Sequence, residues 1–210
     1  FEDADLEAAA DALLANKFRS GGQTCVCTNR VYAHSKIVAP FVDLIAERVG
    51  KLSVGDGMNQ ETDIGPLIDL AGFRKVAEHV ADALAKGATR VVGDDPPQPA
   101  ENWGCFYPPT LLIGVTPDML VCREETFGPV LAVSQFEETD AVLKAANNTE
   151  YGLAAYVFTN DAARAKQCAA ALTFGHVGLN TGSGPAPEAP FGGMKKTGYG
   201  RQGGVEGLLE

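Results

Sequence analysis

KFRSGGQTCVCTNR, residues 17–30, is where the chain changes from one kind of pattern to another. Before it, Leu6, Ala10, Leu13, Leu14 and Phe18 fall on one helical stripe, with Asp3 placed to cap the helix. After it, RVYAHS (30–35) alternates like a strand. IVAPFVDLIAERVG (37–50) then reads as a helix with Pro40 in its first turn. Between the two lie Gly21 and Gly22, which stop the helix and set Cys25 on a corner.

The same alternation continues outward. A polar loop over 56–69 leads to a long helix over 70–86, and TRVVGD (89–94) reads as a short strand. A surface loop rich in proline and acid spans 94–104. TLLIGV (110–115) is extended, PVLAVSQF (129–136) reads as a buried strand and 137–148 as a helix. AAYVFTN (154–160) and HVGLN (176–180) read as strands on either side of a helix over 161–174. Residues 181–210 are rich in Gly and Pro and predict loop with one short helical turn at most. Strands alternating with helices of ten or more residues predict an α/β fold, a mainly parallel sheet flanked by helices. Sites in open sheets of this kind form at the carboxyl ends of strands. No repeat or linker divides the chain, so residues 1–210 read as one domain with a loop-rich tail over 181–210.

The totals bound the partners. A net charge of −10 argues against nucleic acid or an anionic membrane, since either needs a basic face. No apolar run reaches the length of a membrane span. Five scattered cysteines, at 25, 27, 105, 122 and 168, form neither a disulfide framework nor a zinc pattern. Cys25 and Cys27 have no histidine or further cysteine at metal-ligand spacing, and no metal is expected. Odd, scattered thiols fit a reducing compartment, and the expected location is the cytoplasm; a processed mitochondrial form stays open.

Two readings of Cys25 stand on local chemistry. Most such cysteines are buried, inert core groups. Yet Gly21, Gly22, Gln23 and Thr24 are poor core formers, and Arg19 and Arg30 are close in sequence. Cations and free peptide N–H groups favour a thiolate, the nucleophilic form.

The stretch resembles the nucleophile motif of aldehyde dehydrogenases: Phe18, three residues, Gly22-Gln23, one residue, Cys25. EETFGPV (124–130), TDIGPLI (62–68), YGLAAYVFT (151–159), GHVGLN (175–180) and APFGGMKKTGYGR (189–201) are similar to further segments of that family, in the same order. The resemblance implies that Cys25 attacks an aldehyde carbonyl, passes through a thiohemiacetal and a thioester, and lends its backbone N–H to an oxyanion hole. It implies NAD or NADP as cofactor, with Glu125 accepting from the nicotinamide ribose hydroxyls and Phe127 beside the ring. Glu124 and Glu125 alone would read as a solvated acidic pair.

Two features resemble the succinate-semialdehyde dehydrogenase branch. Arg19, six residues before the nucleophile, stands where an arginine grips the substrate's distal carboxylate; otherwise it is a surface arginine favoured by the helix dipole. Cys27 stands where a partner thiol forms a reversible disulfide with the nucleophile; otherwise it is a small packing residue. The loop before 189 departs from the branch. Pro185, Ala186 and Pro187 fall where a carboxylate-holding serine is usual, and Ser183 is the nearest serine. This leaves room for glutarate semialdehyde. Phe191 is the expected wall of the aldehyde tunnel, and Gln202 stands where the family usually has Glu.

The resemblance also implies that the cofactor domain is absent from these 210 residues, with the catalytic glutamate, the oxyanion-hole asparagine and the pyrophosphate-binding helix. The expectation is a catalytic domain truncated at both ends and inactive alone, its tail packing on the missing domain or a partner subunit. The parent is expected to be a homodimer or homotetramer. Rival expectations are a dehydrogenase of neutral aldehydes and a non-catalytic thiol redox or assembly module.

Overall fold

The computed structural model describes residues 1–96, 104–184 and 186–209. In chain order its elements are α1 (Leu6–Lys17), β1 (Val31–His34), α2 (Val38–Val49), α3 (Leu70–Ala85), β2 (Thr89–Val92) and β3 (Thr110–Ile113). There follow α4 (Leu120–Arg123), β4 (Val130–Phe136), α5 (Thr139–Asn147), β5 (Tyr151–Gly152), β6 (Ala154–Val157), α6 (Ala162–Ala171) and β7 (His176–Leu179). The tail adds β8 (Phe191–Gly192), β9 (Met194–Lys195), β10 (Arg201–Gln202) and α7 (Glu206–Leu209).

The main sheet has the order β1-β4-β3-β2. β4 pairs in parallel with β1 and β3, and β2 closes the far edge antiparallel to β3. β6 and β7 form a separate parallel pair. β4 is the centre, with Val130, Leu131, Ala132 and Val133 all buried. A strand buried on both faces reads as an unbroken apolar run. Its alternate residues feed opposite layers. Leu131 and Val133 join Leu111, Ala10, Leu13, Phe41 and Ile45 under α1 and α2. Val130 and Ala132 join Leu112, Phe73, Val76 and Val80 under α3. The result is helix, sheet, helix, as the alternation predicts.

Three details differ from expectation. Asp5, not Asp3, caps α1, its Oδ1 accepting from the Ala8 N–H at 3.1 Å. Asp3 lies before the cap. It accepts from Thr159 Oγ1 and from the Asn160 and Asp161 N–H groups, and it pairs with Arg164 at 3.0 Å. This ties the start of the chain to the end of β6. Second, α4 is too short to show a helical period; Asp82 Oδ2 accepts from the Leu120 N–H at 2.8 Å and so supplies the cap. Third, the tail contains two-residue strand pairings, β8 with β10 and β9 with β5, besides the short helix. The acid- and proline-rich loop is described only at residues 94–96 and 104; the rest of it, and Pro185, lie outside the described residues.

Candidate active site

The corner carrying Cys25 begins as α1 ends. Phe18 is buried in the layer under α1 and α2, and the next residues, Ser20, Gly21 and Gly22, have φ of 52°, 64° and 77°. Three successive left-handed residues turn the chain sharply, and glycine takes that conformation without strain. Space also demands glycine at 22. A Cβ there would lie 2.1 Å from the Gly128 carbonyl oxygen. The loop leading to Cys25 thus rests backbone against backbone on residues 124–129.

Polar side chains fix the far side of the turn. Asn16 is buried in the last turn of α1 and uses its whole amide. Nδ2 donates to the carbonyls of Val26 (3.0 Å) and Gly182 (2.9 Å), while Oδ1 accepts from the Thr28 N–H (2.8 Å) and hydroxyl (2.9 Å). Tyr156 on β6 donates a second bond to the Val26 carbonyl at 3.1 Å. Gln23 Oε1 accepts from the Ile68 N–H at 2.9 Å, and its Nε2 donates to the Ser20 carbonyl. Cys25 therefore sits on a loop held at each end.

The Cys25 side chain is exposed and lines a cleft of about 960 Å³, shared with Asn29, Lys75, Glu124, Glu125 and Tyr156. Among the described residues its N–H donates no hydrogen bond, which leaves a donor free beside the sulfur. The other thiols differ. Cys27 is buried, its Sγ donating to the Asn16 carbonyl at 3.0 Å and lying 2.8 Å from Thr24 Oγ1. Burial pushes the thiols of Cys122 and Cys168 up from the ordinary cysteine value. Both Cys25 and Cys27 are free thiols.

Glu125 is exposed along the same cleft, and among the described residues it makes no hydrogen bond or ion pair. Phe127 has φ 55°, and Lys75 Nζ lies 5.9 Å from its ring centroid. Phe127 is half-buried and does not line the cleft.

Arg19 and Ser183, twelve dozen residues and more apart in sequence, line one smaller cavity of about 310 Å³ together with Asn180 and Thr181. It shares Ala12, Asn16, Val26 and Gly182 with the large cleft, so the two lie on either side of one wall. Arg19 is exposed and has no ion pair among the described residues. Phe191 lies elsewhere: half-buried on β8, paired with Gln202 of β10, its ring 6.2 Å from that of His176 and outside both cavity walls. Arg201 donates to the carbonyls of Gly193, Tyr199 and Gly200, which closes the small turn there.

Sequence reasoning did not single out Asn16, Lys17, Asn29, Lys75 or His79. Asn16 and Lys17 are polar residues in the last turn of a helix, where both types are ordinarily solvated. Lys17 is instead 0% exposed, with no hydrogen-bond partner for Nζ among the described residues, and burial pushes its ammonium down from 10.5 to about 8.

Comparison with known proteins gives this geometry a family. Over 100% of its length the chain is 46% identical to "Succinate-semialdehyde dehydrogenase [NADP(+)] 1" of Schizosaccharomyces pombe, of which it spans 42%. It is 44% identical to glutarate-semialdehyde dehydrogenase of Pseudomonas aeruginosa, covering 100% of the chain and 44% of that protein. The crystal structure of an oxidoreductase from Marinobacter aquaeolei superposes with a TM-score of 0.94 at 57% identity, covering 99% of this chain and 43% of that one. The chain thus spans well under half the length of these relatives. The profile of the aldehyde dehydrogenase family matches residues 1–210, and the chain belongs to that family.

Proposed function

We propose that these residues form the catalytic half of an NAD(P)-dependent semialdehyde dehydrogenase, with Cys25 as nucleophile and Arg19 as anchor for the substrate's distal carboxylate. The observation that carries this reading is the pairing of an exposed Cys25 with a second cavity, across one wall, that holds Arg19 and Ser183. A guanidinium meets a carboxylate through two parallel bonds, and Ser183 Oγ adds a third donor. The relatives named for succinate and glutarate semialdehyde share that demand on the substrate.

The residues present also fit a dinucleotide. Glu125 is a carboxylate on the wall of the Cys25 cleft that makes no hydrogen bond or ion pair among the described residues, and an acceptor-only group suits two ribose hydroxyls. Bound there, NAD or NADP supplies the hydride acceptor.

This chain's own part in the chemistry is as follows. The Cys25 thiolate adds to the carbonyl carbon, forming the C–S bond while the C=O π pair moves to oxygen. The free Cys25 N–H donates to that oxyanion. Departure of the hydride leaves the carbon as a thioester on Cys25, and water then displaces the sulfur, giving a carboxylate, two protons and the regenerated Cys25 thiolate. Holding the distal carboxylate on Arg19 fixes the aldehyde against the sulfur, the entropic advantage of a bound near-attack geometry.

The test uses the dehydrogenase with its cofactor-binding half. Arg19→Met should raise KM for succinate semialdehyde by about 10- to 100-fold, the worth of a charged hydrogen-bonded pair. A neutral aldehyde of similar length should be oxidised as before. Equal losses on both substrates would remove Arg19 from the substrate site, and full activity in Cys25→Ala would end the reading altogether.

A further inference from the structure

We propose that His79, buried beneath the segment carrying Glu125 and Phe127, is a positioning residue that holds this segment in its dinucleotide-binding conformation. The proposal rests on reading Glu125 as a cofactor contact.

The segment needs holding. Phe127 has φ 55°, a left-handed conformation that is strained for a residue with a side chain. Glu124 and Glu125 beside it are exposed and carry like charge. What opposes straightening comes from α3. His79 is 1% exposed, with Nδ1 3.1 Å from Thr126 Oγ1 and Nε2 3.6 Å from Glu124 Oε2. Val76, three residues earlier, packs so closely that a Cβ on Gly128 would lie 2.4 Å from its Cγ2. Lys75, one turn before His79, reaches the Phe127 ring. One face of α3 therefore touches four of the five residues 124–128, and the polar contacts converge on His79.

One tautomer suits both partners. An ionised Glu124 only accepts, which favours the tautomer with its proton on Nε2, facing Glu124 at 3.6 Å. Nδ1 is then an acceptor, and the Thr126 hydroxyl must donate to it. Burial pushes His79 below the ordinary histidine value, and Lys75 acts in the same direction, while Glu124 and Glu78 act against it. The neutral ring is thus the form that Thr126 needs at pH 7. On its other side the Thr126 N–H donates to Asn29 Oδ1 at 3.3 Å, and Asn29 lines the Cys25 cleft. Through Thr126 the histidine is coupled to the loop of the nucleophile as well as to Glu125.

A merely structural histidine would affect stability alone; a positioning one affects dinucleotide affinity. The experiment compares His79→Phe, His79→Asn, Thr126→Val and Glu125→Gln in the dehydrogenase with its cofactor-binding half. It measures the Kd of NADH and NADPH by fluorescence, the KM for aldehyde, and the melting temperature. His79→Phe and Thr126→Val should each weaken dinucleotide binding by roughly five- to tenfold, the effect of one lost buried hydrogen bond, with aldehyde KM unchanged. His79→Asn, whose amide oxygen stands near the position of Nδ1, should recover most of that affinity. Thr126→Val keeps the shape of the side chain and serves if His79→Phe does not fold. Unaltered Kd in Thr126→Val and in a folded His79→Phe, while Glu125→Gln weakens binding, would overturn the positioning role alone. Unaltered Kd in Glu125→Gln would show that the reading of the segment is wrong, and the proposal would fall with it.

Discussion

Replacing Lys17 with methionine should make this 210-residue chain more stable, and the gain should disappear at high pH. Lys17 is fully buried, and its Nζ has no hydrogen-bond partner among the described residues. Its pKa falls from 10.5 to about 8 because burial strips water from the ammonium, with Cys27 and then Glu125 opposing the fall. A fall of that size corresponds to ~3 kcal/mol against the charged form in the folded state. At pH 7 both folded and unfolded chains carry the proton, so the fold bears the whole penalty. Between pH 8 and 10.5 the unfolded chain keeps the proton and the folded chain has lost it. Stability attributable to Lys17 therefore rises by about 1.4 kcal/mol per pH unit across that window. Above 10.5 both forms are neutral, and the charge penalty is gone.

Methionine keeps the length of the apolar stem and removes the charge, at little packing cost. Urea unfolding at pH 7 should place Lys17→Met about 3 kcal/mol above the parent chain, or roughly 6–12 °C higher in Tm for a domain of this size. Near pH 10.5 the two curves should nearly coincide. Other lysines, tyrosines and thiols titrate in the same window, but they are common to both proteins and cancel in the difference. A variant less stable at pH 7, or a gap equal at pH 7 and 10.5, would refute the argument that an unpaired ammonium is the cause.

The remaining expectations concern the loop and its supports. Iodoacetamide should label Cys25 first of the five thiols by peptide mapping, since Cys27 and Cys168 are buried, Cys105 is half-buried, and Cys122 is both half-buried and pushed up by burial; faster labelling at Cys105 or Cys122 would contradict this. Asn16→Ala leaves the Gly182 carbonyl and the Thr28 N–H without a partner and the Val26 carbonyl with Tyr156 alone, which should lower stability by about 2–4 kcal/mol in urea unfolding. A loss below 0.5 kcal/mol would mean that water replaces the amide without cost. Gly22→Ala meets both a φ of 77° and the Gly128 carbonyl. Strain alone should cost about 1–3 kcal/mol, and the loop should shift enough to change the rate of Cys25 alkylation; an unchanged rate in a folded variant would show that the two loops are not in fixed contact.

What the sequence revealed and what it hid divide along physical lines. The central strand was legible because burial on both faces writes an apolar run, as at residues 130–133. The helices α2 and α3 were legible because one face of each is buried and the other solvated. The exposed corner at Cys25 was legible because Gly21 and Gly22 end a helix where no strand begins. Asp3 was misassigned because Asp3 and Asp5 both suit a cap, and only the tertiary pull of Thr159 and Arg164 separates them. Asn16, Thr126 and His79 stayed hidden for a stronger reason. Each acts through a partner between ten and 166 residues away, and no local pattern records such a pairing.

Those hidden residues explain how an exposed thiol is kept in one place. An exposed loop ordinarily orders little, because holding each residue costs about 1–2 kcal/mol in backbone entropy. Here Ser20 at φ 52° adds strain, and so does Phe127 on the segment the turn touches. The offset comes from groups that are themselves buried: the Asn16 amide on one side, the His79–Thr126 pair on the other, and Gly22 against Gly128 between them. Rigid supports beneath a mobile-looking surface are what the proposed addition to a carbonyl would require, since small displacements of a nucleophile are costly in rate. Changes at Asn16 or Gly22 should therefore reduce reactivity at Cys25 more than their distance from the sulfur suggests. Changes at other exposed positions on the same cleft, such as Arg123, should leave it almost untouched.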